Sequence, residues 1–136
     1  MVASASQSFG GRINGNQMFV HESIESTNCH AKDDLDCDTH IEMVLDPIKG
    51  DASARMIVEV TPRWRFPMSE RGMDWAPGRA GTGFRDIGSR FGRWMLFDAE
   101  HQRDSGNTAP GRAGNWRATV WEIHPVTSIE VGSRVR

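Results

Sequence analysis

No stretch of this chain approaches the roughly 20 consecutive apolar residues that a membrane-spanning helix needs. Its opening, Met1 to Gly11, is rich in Ser, Ala and Gly and lacks the apolar core of a signal peptide. Cytoplasmic residence is the resulting expectation, with secretion the alternative if a leader has been removed, and no membrane partner is expected. Lysine is nearly missing: Lys32 and Lys49 stand beside fourteen arginines. Charge of one sign is missing too, since sixteen basic and eighteen acidic residues leave a net charge of -2. That excludes a global field drawing the chain onto nucleic acid, so an anionic partner has to be met by a local patch. Arginine suits forked contacts with carboxylate or phosphate, although GC-rich coding produces the same bias. The two cysteines, Cys29 and Cys37, are consistent with one disulfide, two thiols or a metal site, and their number does not choose. No nucleophile elbow, Walker loop or dinucleotide fingerprint is present; Gly81-Thr82-Gly83 is a lone GxG with no strand directly before it.

What is present suits one small β-rich domain. At 136 residues, division would leave two pieces each short of a comfortable core. A hydrophobic fraction of 38% is low, but five Trp and six Phe concentrate large apolar groups at a few places. Residues 1–16, MVASASQSFGGRINGN, read as a flexible arm, because small polar residues bury too little to offset their ordering entropy. The folded domain is expected over residues 17–136.

Five segments carry strand patterns. Residues 17–26 give a modest strand with a slip in its alternation, and the Asp- and Cys-rich 27–38 read as a loop. Thr39 to Leu45 alternate with His40, Glu42 and Val44 on one side. ARMIVEVTPRWR, residues 54–65, is the clearest strand, with Met56, Val58 and Val60 opposite Ile57 and Glu59. The Gly-rich 67–92 holds at most a short helical turn, near Ser69 to Trp75 or Phe84 to Phe91. Arg93 to Asp98 gives a fourth strand and residues 115–131 a fifth, in which Pro125 marks a bend, an edge or a bulge. The order predicts an all-β fold, a five-stranded OB-like Greek-key barrel, with a small β-sandwich as the alternative.

Three segments place metal-capable side chains close together: His40 with Glu42, Asp98 with Glu100 and His101, and Glu122 with His124. A spacing of two puts each strand pair on one face. Imidazoles and carboxylates are the usual ligands of zinc or manganese and also serve as acid and base. His40, Asp98, His101 and His124 are therefore candidate metal ligands, and Glu42 and Glu122 candidate bases of a metal-dependent hydrolase. The same pairs also suit a solvated sheet face. Cys29, His30, Cys37 and His40 form a further set, but structural zinc sites usually start with a tighter Cys pair. Arg63, Trp64 and Arg65, at the end of the third strand, are candidates for stacking and clamping a nucleic-acid or other anionic ligand; alternatively the indole is core and the arginines reach outward along it.

The segments ESTNCH (25–30), DTHIEMVLDP (38–47), IVEVTPRWR (57–65), WMLFDAEH (94–101) and NWRATVWEIHPVTSIEV (115–131) resemble a family of small bacterial proteins of uncharacterised function. The WEIHPVT segment is the most specific. The resemblance implies an OB-like fold and no particular activity. Three functional classes stay open: a binding module for an anionic or nucleic-acid ligand, a metal-dependent phosphodiesterase-like hydrolase, and a structural or protein-interaction domain.

Overall fold

The computed structural model describes residues 9–23, 36–44, 52–76 and 87–134, with side chains over 36–44, 53–76 and 89–130. The elements in order are strands β1 (Phe9–Ser23), β2 (Asp38–Val44) and β3 (Met56–Val60), helix α1 (Pro62–Ser69), and strands β4 (Ile87–Phe97) and β5 (Trp121–Arg134). Short 3-10 turns cover Ala52–Ala54 and Ala99–His101. The protein is mostly β with little helix among the described residues, as the sequence pattern predicts.

β1 pairs antiparallel with β2 and with β4, β2 with β3, and β4 with β5. A parallel contact between Val58 and Ile123 joins β3 to β5, so the pairings run in a ring, β1-β2-β3-β5-β4. Alternation then sorts the side chains. Ile41 and Met43 from β2, Val58 and Val60 from β3, Phe91 from β4, and Ile123 and Val126 from β5 form one buried apolar cluster. Their neighbours in sequence face the other way. Ile123 and Val126 are three apart yet both in the core, so the alternation slips by one residue between them. The β4–β5 ladder slips at the same level, between Arg93 and Met95, and the His124–Pro125 peptide there is cis. Pro125 thus marks a bulge, and the bulge re-aims the chain directly after His124.

Several boundaries differ from the pattern. β1 begins at Phe9, inside the stretch read as an arm; the backbone of Phe9 to Asn16 pairs with β4. β3 ends at Val60, and PRWRFPMS is helix instead of strand. Pro62 takes the first helical position, where its missing N–H costs nothing and its fixed φ suits the turn. Trp64 and Arg65 then donate to the Thr61 carbonyl at 2.9 and 3.1 Å. Of the expected helical turns, the one near Ser69 to Trp75 is reduced to a single turn in which Gly72 donates to the Ser69 carbonyl as α1 ends; Ile87 to Phe91 belong to β4, and residues 84–86 lie outside the described residues. β5 begins at Trp121, because Trp116 to Val120 spend their hydrogen bonds within the β4–β5 loop and on Arg55.

α1 packs back on the core through Met68 and Trp64. Arg65 fastens it to the start of β2, its guanidinium donating to the Cys37 carbonyl at 2.7 Å and to Thr39 Oγ1 at 3.2 Å. Thr39 Oγ1 in turn donates to the Trp75 carbonyl. These bonds fix the strand end that carries Asp38.

Candidate functional site

Because Ile41, Val58 and Ile123 point into the core, the alternate residues of the same strands share the outer face. These are Asp38, His40 and Glu42 on β2, Glu59 on β3, and Glu122 and His124 on β5. His40 and Glu59 are directly opposite in the β2–β3 register. On an ordinary sheet such residues would meet water. Here Asp38 and Glu59 are 1% exposed and Glu122 4%.

The loop between β4 and β5 packs beside this face, with Trp116 against His40 and Arg117 against Glu122. Ala118 donates its N–H to the Arg55 carbonyl just before β3, at 2.6 Å. The loop is braced internally: Gly106 and Asn107 donate to the carbonyls of Arg117 and Ala118, and Val120 donates to Asn107 Oδ1. At Gly106 a Cβ would sit 3.2 Å from the Ala118 carbonyl oxygen, so the close approach favours glycine. Arg117, itself 1% exposed, is the loop's main anchor. It donates to Asp98 Oδ2 at 2.7 Å, to Glu122 Oε2 at 3.2 Å and to the carbonyls of Thr119 and Val120. A guanidinium this deep is tolerated only because two carboxylates and two carbonyls replace its water.

His124 is the hub of this face. Its Nε2 lies 3.5 Å from Asp38 Oδ2, and its Nδ1 lies 3.3 Å from Glu59 Oε2 and 3.4 Å from Glu122 Oε1. Glu59 also reaches His40 Nδ1 through its other oxygen at 2.7 Å. Burial alone would lower the His124 pKa; the Glu122 hydrogen bond and the charges of Glu59, Glu122 and Asp38 outweigh it and hold the imidazole above its ordinary value. One donor atom each from Asp38, Glu59 and His124 falls within 4.8 Å of the other two, close enough for a single ion to draw them together.

Asp98 and His101 form the outer part of the network. Asp98 Oδ1 accepts from the N–H groups of Glu100 and His101, capping the 3-10 turn, and Oδ2 meets His101 Nδ1 at 2.5 Å. Burial pushes the Asp98 carboxyl up, but His101 and Arg117 together hold it below its ordinary value. The indole of Trp116 meets both imidazoles, His101 edge-on at 5.5 Å and His40 at 6.2 Å.

Of the sequence-derived candidates, His40, Glu122 and His124 thus meet in one cluster, and Asp98 and His101 join it through Arg117. Glu42 is held by Arg55 at 2.7 Å. Arg63, Trp64 and Arg65 do not form a common surface on α1: Arg63 is exposed, Trp64 packs on the core, and Arg65 is spent on β2. Cys37 is buried on β2's neighbouring backbone, while Cys29 and His30 lie outside the described residues. Sequence reading passed over Asp38, Glu59 and Arg117. Glu59 carried a signal, a lone carboxylate inside the most apolar strand; Asp38 was hidden at the end of an acidic loop. No protein-family model, curated protein or solved structure matches the chain.

Proposed function

We propose that this chain is an OB-type domain whose ligand face has become a divalent-cation site, with Asp38, Glu59 and His124 as ligands. The observation that carries the reading is the convergence of those three buried donors within 4.8 Å. The ring order β1-β2-β3-β5-β4, with α1 between β3 and β4, supports the OB assignment. OB domains take their ligands on the face of the second and third strands, between the loops that precede β2 and β5. Asp38, His40 and Glu59 lie on β2 and β3, and Trp116 of the second of those loops meets His40.

The chemistry of the face selects the ligand class. Carboxylates and imidazoles repel a polyanion and attract a cation, and no stacking or basic stripe joins them on β2 or β3. This favours a cation over the nucleic-acid ligand that Arg63, Trp64 and Arg65 suggested. Two carboxylates with one imidazole suit zinc or manganese better than soft ions such as copper(I). Glu122, held by Arg117, serves to orient His124 and not as a base, so the reading is a binding centre without an assigned reaction. The segments that resemble the small bacterial family supply every member of the network, and we extend the proposal to that family.

A second reading has its own observation: each nitrogen of His124 faces a carboxylate, as a doubly protonated imidazolium bridging Asp38 and Glu59 would. The cluster is then a buried salt bridge with no ion. Calorimetric titration of chelator-treated protein with zinc and with manganese separates the two. The cation reading expects one ion per chain, lost in His124→Ala and weakened in Glu59→Gln while circular dichroism stays unchanged. Absence of binding by the wild type discards it.

A further inference from the structure

A centre this deep needs a route by which a hydrated ion reaches it. Asp38 and Glu59 are 1% exposed. Stripping all the water from a divalent ion before any protein ligand replaces it is prohibitive, so donors at intermediate depth are required.

His101 has the geometry of such a donor. Asp98 is fixed by Arg117 and by two backbone N–H groups, and it takes the hydrogen of His101 Nδ1. The ring is therefore oriented, with Nε2 the nitrogen turned away from Asp98. The contacts of His101 run through its backbone, its Nδ1 and its ring, so among the described residues Nε2 meets no donor. An imidazole that gives one N–H to a carboxylate and presents the other nitrogen is the usual form of a metal-binding histidine. Its side chain is 33% exposed; the Trp116 indole that it meets is half-buried and also meets His40, which is 7% exposed and bonded to Glu59 at 2%. The Trp116 ring thus lies against two imidazoles of decreasing exposure, and the inner one is bonded to a ligand of the centre.

We propose that His101 is the solvent-side capture ligand for the divalent cation, binding it first and passing it inward by way of His40. The inference rests on the cation reading of Asp38, Glu59 and His124. It has a distinctive signature. A group that touches the ion only in transit changes uptake and release by one common factor and leaves the equilibrium constant alone, whereas a resident ligand changes the equilibrium.

The test is stopped-flow mixing of chelator-stripped full chain with zinc, followed by tryptophan fluorescence, with release measured into a chromophoric chelator. His101→Ala is expected to slow both phases by about tenfold, the scale at which loss of a supporting metal-site group is felt, with Kd unchanged. His101→Cys, which restores a zinc-binding side chain, is expected to recover the wild-type rates and guards against a folding defect in the alanine variant. Unchanged rates in His101→Ala overturn the inference, as does a weakened Kd with unchanged uptake, which would make His101 a resident ligand. Failure of the cation reading looks different: the wild type then takes up no zinc at equilibrium.

Discussion

Strands β2, β3 and β5 bury two faces with opposite chemistry. On the core face Ile41, Val58, Val60 and Ile123 are at most 1% exposed and touch other apolar side chains. On the outer face Asp38, Glu59 and Glu122 are nearly as buried, but their neighbours are imidazoles and a guanidinium. Apolar burial is favourable by itself and needs only shape. Burial of carboxylates is unfavourable unless each is answered by charge or hydrogen bond. The core face therefore explains why the strands stay folded. The outer face opposes folding unless its partners are all in place.

The largest break in this comparison is expected from Arg117→Ala. It leaves the buried Glu122 and the part-buried Asp98 without their shared cation, which should cost about 3 kcal/mol in denaturant unfolding. Ile41→Ala tests the other face: a cavity in the apolar cluster should cost about 3 kcal/mol and leave the zinc affinity of the folded protein unchanged. If the two faces were one cooperative site, affinity would fall with stability. A pH titration of unfolding comes next. The Asp98 pKa is lowered in the folded state, so its contribution is full above the unfolded value of 3.8 and disappears as pH falls through the lower folded value. Wild-type stability should drop across that acid window, and Asp98→Asn should show a shallower drop there. The smallest effect is expected from Arg90→Ala, whose pair with Glu130 is about half exposed on both sides and should contribute under about 0.5 kcal/mol. A loss there as large as that at Arg117 would remove burial as the distinction.

The legible part of this molecule was what two-residue alternation encodes. His40 with Glu42 and Glu122 with His124 were placed on shared faces from spacing alone, and the apolar sides of β2 and β3 came out correctly. Alternation is blind to what covers a face, so the same residues read equally well as solvated. Trp116 to Val120, beside that face, alternate in sequence like a strand, but their hydrogen bonds go elsewhere. Arg117 was invisible for the same reason: an arginine at position 117 looks like surface until Asp98, nineteen residues earlier, is brought beside it. The TPRWR segment misled through β-favouring Thr and Trp, although Pro62 at a helix first position was the available correction.

The most direct test of the cation centre is the protonation of His124, read from the side-chain 15N resonances before and after zinc is added. A cation site predicts that zinc displaces a proton from one ring nitrogen and moves that resonance to the metal-bound range, while the other N–H stays donated to Glu122. If His124 stays doubly protonated with zinc in excess, the outer face is a buried salt-bridge cluster and the cation reading is wrong.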